Sequence, residues 1–126
     1  MTTWKDLAED SRLAVHEMFD HRRWRTCLSR AYFAVYSEAT AELVLRGVVM
    51  PLRRSGPSHT KLPELVGNNL TGISHSMRWR LAGIIKKLYE LRIVADYIPS
   101  TPVDAREARL SLGLMNQAFR FLRGVS

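Results

Sequence analysis

The sequence predicts an all-α protein, a single antiparallel bundle of about five helices over residues 1–126. Apolar residues recur at spacings of three and four through most of the chain, and no segment shows a convincing alternation of period two. Proline and glycine residues separate several of these periodic segments, where they would interrupt a helix. At 126 residues the chain has the length of one domain and enough apolar residues for one ordinary core.

The first two predicted helices are long and follow each other closely, over about residues 4–20 and 22–46. Thr3 and Asp6 predict a capping box at the start of the first, with Asp in the place of Glu, and Gly47 predicts the end of the second. The apolar stripe of the first helix consists of Leu7, Leu13, Ala14 and Met18. The core-facing stripe of the second consists of Trp24, Leu28, Ala31, Val35 and Ala39.

A basic loop over residues 47–57 precedes a short third helix over about residues 60–69. Pro51, Gly56 and Pro57 punctuate the loop, and Arg53 and Arg54 give it charge. Ser58 is the expected N-cap of the third helix. Because Pro63 follows closely, it must lie in the first turn or bend the helix.

The fourth and fifth helices complete the predicted bundle, over about residues 75–97 and from 102 onward. Pro99 and Pro102 end the fourth, and Thr101 is the expected N-cap of the fifth. The buried stripe of the fourth helix consists of Met77, Leu81, Ile84, Leu88, Leu91 and Ala95. The stripe of the fifth consists of Ala105, Ala108, Leu112, Met115, Phe119 and Leu122. Two long central helices are typical of an antiparallel bundle.

Charge is the strongest signal in the composition. The net charge is +7, and it is distributed unevenly. Residues 1–21 carry 2 basic and 5 acidic side chains, a net charge of −3, whereas residues 22–126 carry 17 basic and 7 acidic ones, a net charge of +10. A basic body of this size favours a polyanionic partner such as RNA, DNA, a nucleotide or an acidic protein. An arginine-rich composition unrelated to binding is the alternative.

Several kinds of site are excluded or disfavoured by the residue types present. The single cysteine, Cys27, excludes an intramolecular disulfide framework and a thiolate zinc site within one chain. The four histidines lack the spacing of a metal site, so we expect neither a metal nor a cofactor. A glycine-rich phosphate loop and a nucleophile elbow are also absent from the sequence. The N-terminus is polar and the apolar runs are short, which predicts a cytoplasmic protein without membrane association.

Two helix faces carry side chains that suit a phosphate or nucleic-acid ligand. On the fourth helix, one stripe combines Arg78, Tyr89, Arg92 and Asp96, and Arg92 can pair with Asp96 four residues later. On the second helix, Arg25, Tyr32 and Tyr36 share a stripe. The alternatives are a surface ion pair of little energetic value and tyrosines packed with only their hydroxyls in water.

Three segments in order resemble the HEPN (higher eukaryotes and prokaryotes nucleotide-binding) family. The segment over residues 29–40, SRAYFAVYSEAT, resembles the family's second-helix signature, and the basic loop leading to Ser58 and His59 is similar to its third-helix entry. The segment over residues 88–97, LYELRIVADY, resembles the end of the fourth helix in one branch. The resemblance covers about residues 5–122 and implies a homodimer with the two fourth helices near a shared cleft.

The resemblance also implies an activity, because many family members are metal-independent endoribonucleases, often toxins paired with a nucleotidyltransferase antitoxin. Their motif places a His four to six residues after an Arg. Arg92 matches that Arg, but Ala95, Asp96 and Tyr97 stand where the His should be. Arg92, Asp96 and Tyr97 are therefore the candidate catalytic residues, although an Asp beside an Arg is a poor acid. Arg54 and His59 have the spacing of the motif, but they lie in a loop.

Three functions follow as hypotheses. The first is a homodimer that binds RNA or a nucleotide in an Arg-lined cleft, possibly within a toxin–antitoxin or stress and defence pair. The second is an active endoribonuclease that uses Arg92 with Asp96, or with His59 from a neighbouring surface. The third is a non-enzymatic helical adaptor for a nucleotidyltransferase-type partner. The candidate binding residues are Arg25, Tyr32, Tyr36, Arg53, Arg54, His59, Arg78 and Tyr89.

Overall fold

A computed structural model describes residues 1–48 and 56–124 of the chain. The described residues form five helices and no strand. The helices are α1 (Trp4–Asp20), α2 (Trp24–Leu45), α3 (Leu62–Asn69), α4 (His75–Tyr97) and α5 (Ala105–Arg123). The predicted all-α bundle of about five helices is confirmed, and the predicted bounds of α1 and α4 match the observed ones. Arg53 and Arg54 lie outside the described residues.

The directions of the helices follow from contacts between their ends. Lys5 at the start of α1 binds Glu38 and Glu42 near the end of α2, so these two helices run antiparallel. Ser29 near the start of α2 binds Asp96 near the end of α4, so this pair is antiparallel as well. The shared partner of both pairs is α2, which therefore lies at the centre of the bundle.

Because α2 is central, it is buried on almost every side. Fifteen of its 22 residues are buried, and they include the whole predicted stripe apart from the partly buried Trp24. The predicted stripe of α4 is also buried except for Met77, which is 39% exposed at the first turn. Buried residues from all five helices form one hydrophobic cluster. Within it α2 and α4 pack side by side, and the candidate site described below lies along these two helices.

The predicted core face of α1 is only partly right, since Met18 packs against the core as predicted but two other members of the stripe are exposed. Leu7 and Leu13 are 44% and 53% exposed, whereas Ala8, Ser11 and Val15 are the buried residues of this helix. Small side chains allow two helices to approach closely, and α1 packs along α2 through them. The core side of α1 is thus marked by small residues rather than by its largest apolar ones.

Two predicted helix starts also need correction. The fifth helix is capped by Asp104 rather than Thr101, since Asp104 and Glu107 form the capping box. Ser58 does not cap α3, whose N-cap is Lys61. Instead, the Ser58 hydroxyl accepts a hydrogen bond from the Lys61 backbone N–H across the turn before α3, at 3.2 Å. The capping box predicted from Thr3 and Asp6 is confirmed.

A charged network ties α1 to α2 on the side of the bundle away from its central aromatic residues. Glu38 and Glu42 are each 1% exposed, and the Lys5 ammonium lies 2.6 Å from a carboxylate oxygen of both. Arg46 adds an ion pair to Glu42 at 3.0 Å, and Arg123 of α5 lies 3.7 Å from Glu38. Burial opposes the charge of Lys5, but the hydrogen bonds to Glu38 and Glu42 raise its pKa.

None of the helices within residues 1–48 and 56–124 combines the length and apolar character that crossing a bilayer requires.

Candidate functional site

An aromatic cluster lies where α2, α4 and the turn before α3 meet. His59 enters from that turn and contacts the rings of Tyr32 and Tyr36 from α2, with centroids 5.4 and 5.0 Å away. On its other side it stacks on Tyr89 of α4, with centroids 5.5 Å apart and planes 18° apart. Phe33 meets the His59 ring edge to face at 6.3 Å. Four aromatic side chains therefore hold one imidazole.

The position of His59 is also set by hydrogen bonds. Its Nδ1 atom lies 2.6 Å from the hydroxyl oxygen of Tyr32, a side chain with no exposed surface. The neighbouring Tyr36 hydroxyl donates to the backbone oxygen of Pro57, at 2.7 Å, and so fixes the path of the chain two residues earlier. Two tyrosines on successive turns of α2 thus determine where the segment before α3 runs.

The same surroundings set the protonation of the cluster. Burial raises the pKa of the Tyr32 phenol, so it keeps its proton at neutral pH. Burial, and second the positive charge of Arg92, lower the pKa of His59, so the imidazole is neutral at pH 7. A buried hydroxyl needs an acceptor for its proton, and we infer that His59 Nδ1 accepts it. The remaining proton of His59 then lies on Nε2.

Arg92 brings a positive charge to the same rings. Its guanidinium carbon lies 5.0 Å from the ring centre of Phe33 and 5.9 Å from that of Tyr32. The side chain is only 15% exposed, which is low for an arginine near a surface. Arg92 and His59 are 33 positions apart in sequence, yet they share two aromatic partners.

A carboxylate orients Arg92, as its spacing predicted. Arg92 Nε donates to the Asp96 carboxylate at 3.2 Å, and the Ser29 hydroxyl donates to the same oxygen at 3.1 Å. Tyr97, the third candidate catalytic residue, is 63% exposed and lies beside Arg92, with its ring centre 5.7 Å from the guanidinium carbon. Asp96 therefore orients Arg92 through Nε, and Ser29 orients Asp96. The two terminal nitrogens of the guanidinium take no part in this contact.

Two arginines that the sequence placed among the binding residues are engaged with the backbone instead. Arg25 donates to the carbonyl oxygens of Val94 and Ala95, at 3.0 and 3.1 Å, and to three further carbonyls of the segment that follows α4. Arg78 donates to the carbonyls of Gly67 and Ile73, at 2.9 and 2.7 Å. The structure brings neither guanidinium to the aromatic cluster.

Two grooves meet at His59. The first, about 730 Å³, lies between the start of α1 and α2 and is lined by Arg30, Phe33 and Tyr36. The second, about 560 Å³, lies between α3 and α4 and is lined by Trp79, Lys86 and Tyr89. His59 lines both. A ligand held at His59 could therefore extend in either direction along the surface.

The sequence matches no protein-family model and no curated protein. The interpretation of this site therefore depends on its geometry. Within the two described ranges, no three side chains of the His, Cys, Asp and Glu types gather as a metal site would require.

The chemistry of the cluster suits an anionic group with an aromatic neighbour. Arg92 supplies a fixed positive charge, and His59 supplies an Nε2–H donor in its neutral form. The tyrosine and phenylalanine rings exclude water from one side, which strengthens any charged hydrogen bond formed there. A phosphate ester is the common biological group that meets this description.

Sequence reasoning placed His59 at the margin of the site, whereas the structure places it at the centre. Its loop position and its distance in sequence from Arg92 gave no indication of their proximity. The available signal was the stripe of Tyr32 and Tyr36, because two buried hydroxyls on one face of α2 need partners and both find them in residues 57–59. Ser29 was likewise not among the candidate site residues, although it lies on the same stripe.

Proposed function

We propose that the chain binds RNA or a nucleotide through a phosphate group at Arg92 and His59. The observation that carries this proposal is the convergence of an oriented guanidinium and a neutral imidazole on Tyr32 and Phe33. Phosphate recognition is one of the common uses of an arginine that is oriented by a carboxylate and stacked on aromatic rings. The net charge of +10 over residues 22–126 supports a polyanionic ligand.

The resemblance to HEPN domains is consistent with this proposal and extends it. In that interpretation the chain forms a homodimer, and Arg92 lines a cleft between two copies of α4. Tyr97 and Ile98, which are 63% and 38% exposed, offer apolar surface next to Arg92 and Asp96. A toxin–antitoxin or stress and defence pairing with a nucleotidyltransferase-type protein belongs to the same proposal. The molar mass of the purified protein in solution, measured by light scattering, tests the dimer.

Binding is tested by titrating a fluorescent single-stranded RNA with the wild-type protein and with Arg92→Ala. Loss of a charged hydrogen bond to phosphate costs about 1.5–3 kcal/mol, or roughly 10- to 150-fold in affinity. Affinity for RNA should also fall steeply with salt. Arg25→Ala is the matched control, since it removes an arginine that serves the backbone. Equal affinities of Arg92→Ala and the wild type would refute the proposal.

A second candidate function is metal-independent cleavage of RNA. The proximity of His59 to Arg92 favours it, because an arginine and a histidine are the pair that the resemblance implies. Here His59 Nε2 would accept the proton of a 2′-hydroxyl while that oxygen attacks phosphorus to form a 2′,3′-cyclic phosphate, the 5′-oxygen would leave with a proton taken from water, and Arg92 would stabilise the phosphorane charge. This needs the other tautomer, with Nδ1–H donating to Tyr32.

Incubation with RNA in the presence of a chelator separates the two functions. Cleavage that is lost in both His59→Ala and Arg92→Ala would establish a ribonuclease. Retention of intact RNA by the wild type, weakened in Arg92→Ala, would establish binding without catalysis. A stable complex with a protein partner and no affinity for RNA would instead favour the helical adaptor.

A further inference from the structure

The groove between α3 and α4 contains a tryptophan held in a fixed position. Trp79 is 41% exposed, yet one side of its indole packs directly on Gly67 of α3. A Cβ atom at Gly67 would lie only 2.5 Å from the ring, so no other residue allows this packing without displacing it. The His75 ring meets the same indole edge to face at 6.4 Å. The indole is therefore preorganised although it lies at the surface.

Gly83 of α4 is one of the residues that line this groove. A Cβ atom at Gly83 would meet no atom within 4 Å, although the residue lies inside a 23-residue helix. Glycine inside a helix is destabilising relative to alanine. This glycine leaves open space on the groove that Trp79 and Tyr89 also line.

The groove reaches the candidate site at His59 and Tyr89. Tyr89 and His59 line its inner end, and they are the stacked pair of the aromatic cluster. Its volume of about 560 Å³ lies within the range of small-molecule sites and exceeds the size of a nucleobase. Any phosphate held at His59 would therefore have its attached nucleoside within reach of Trp79.

The charges along the groove favour a nucleobase over a phosphate as its occupant. Lys86 contributes one positive charge, and Glu64 and Glu90 contribute two negative ones, of which Glu90 is partly offset by Lys87 at 4.0 Å. Carboxylates repel a phosphate, whereas they accept hydrogen bonds from amino groups. Adenine, cytosine and guanine carry an exocyclic amino group, and uracil does not.

From these observations we infer that the groove between α3 and α4 binds an unpaired nucleobase, with a preference for bases that carry an exocyclic amino group. The inference rests on the proposed function, since the phosphate at Arg92 and His59 places the base. Aromatic stacking of unpaired bases is the usual way in which proteins bind single-stranded RNA. The ligand class is therefore single-stranded RNA rather than a duplex.

The experiment uses eight-nucleotide oligomers of cytidine and of uridine, with inorganic tripolyphosphate as a probe of the phosphate site alone. The two pyrimidines have nearly the same shape and differ at the amino group. Wild-type protein should bind the cytidine oligomer at least about fivefold more tightly than the uridine oligomer. Gly83→Leu, which fills the groove, should weaken binding of the cytidine oligomer by about 5- to 100-fold.

Gly113→Leu is the matched control, because Gly113 lies inside α5, is exposed and also has open space at its Cβ position. It should bind the cytidine oligomer within twofold of the wild type. Tripolyphosphate should bind Gly83→Leu as it binds the wild type, and Arg92→Ala should lose it.

The outcomes separate the two proposals. Unchanged binding of the cytidine oligomer to Gly83→Leu overturns the inference and leaves the proposed function standing. Absence of binding of both RNA and tripolyphosphate to the wild type refutes the proposed function and the inference with it. Should Gly83→Leu fail to fold, tryptophan fluorescence decides: the cytidine oligomer should quench the wild type more strongly than Trp79→Phe, whose emission comes from Trp24 and from Trp4, which lines the other groove at His59. Equal quenching of the two proteins overturns the inference.

Discussion

The Tyr32 hydroxyl and the His59 Nδ1 atom lie 2.6 Å apart, which joins the middle of α2 to the turn before α3. This contact has two effects. It holds the imidazole against the rings that Arg92 also covers, and it directs the Nε2–H of His59 away from Tyr32. One phenol therefore fixes the position of the histidine at the candidate site and, when it donates to Nδ1, leaves the imidazole proton on Nε2.

Tyr32→Phe should reveal the energetic value of this bond. The ring stays and only the hydroxyl is removed, so the loss should be that of one partly buried hydrogen bond, about 1 kcal/mol in the free energy of unfolding. Urea denaturation measures it. Tyr97→Phe is the control, because Tyr97 is 63% exposed, and its change should stay within about 0.5 kcal/mol. Equal effects of the two substitutions would show that the bond contributes nothing.

Stability should depend on pH through His59. Its pKa is lowered from 6.5 in the folded chain, so the unfolded chain binds a proton more readily. The stabilisation is therefore complete above about pH 6.5 and is lost as the pH falls below that value toward the folded pKa. Unfolding measured between pH 7.5 and about pH 5 should give a decreasing free energy. The decrease should be smaller in His59→Asn, and an identical pH profile for this variant would exclude His59 as the cause.

Lys5→Met should destabilise the bundle strongly. It removes a cation that lies 2.6 Å from both Glu38 and Glu42, and both carboxylates are almost fully buried. Breaking a buried pair on one side costs about 3–5 kcal/mol, and we expect about 3 kcal/mol because Arg46 still pairs with Glu42.

Lys87→Met provides the comparison for that prediction. Lys87 pairs with Glu90 at 4.0 Å, and both side chains are more than half exposed. Exposed pairs contribute about 0–1 kcal/mol. Thermal unfolding of both variants should therefore show a large decrease in Tm for Lys5→Met and almost none for Lys87→Met. Similar decreases would mean that the buried network contributes no more than a surface pair.

Arg25→Ala should lower stability without a matching loss of RNA affinity. Its guanidinium donates to the carbonyls of Val94 and Ala95 at the C-terminus of α4, where Val94 also accepts from the backbone N–H of Ile98. Hydrogen bonds to a charged group contribute about 1.5–3 kcal/mol, and we expect a loss of about 2 kcal/mol. Denaturation and RNA titration of the same sample measure both effects. A drop in RNA affinity with an unchanged free energy of unfolding would show that Arg25 takes part in RNA binding.

Most of the fold could be predicted from the pattern of apolar residues. The α4 stripe follows spacings of three and four over six positions, and five of the six residues are buried. The prediction for α1 was only partly right because close contact with α2 selects small side chains. Ala8 and Ser11 are weakly hydrophobic or polar, so a pattern built on large apolar residues passes over them.

The site could be predicted only where its contacts are local. The pairing of Arg92 with Asp96 depends on one turn of helix, and the structure confirms it. The meeting of His59 with Arg92 depends on how the turn before α3 packs across α2 and α4. Arg25 was predicted to bind a ligand, but its guanidinium donates to the carbonyl oxygens of Val94 and Ala95. These residues are distant from Arg25 in sequence and meet it only in the folded chain.

Chemical labelling of the Cys27 thiol measures opening of the bundle. The thiol has no exposed surface, its Sγ lies 3.7 Å from the Val15 carbonyl oxygen, and burial raises its pKa to about 11. It sits on the central helix beside α1, so a thiol reagent reaches it only after those two helices separate. Because the chain contains one cysteine, the rate of its labelling reports the opening of the bundle with no engineered probe, and it equals the opening rate when the reagent is faster than reclosing.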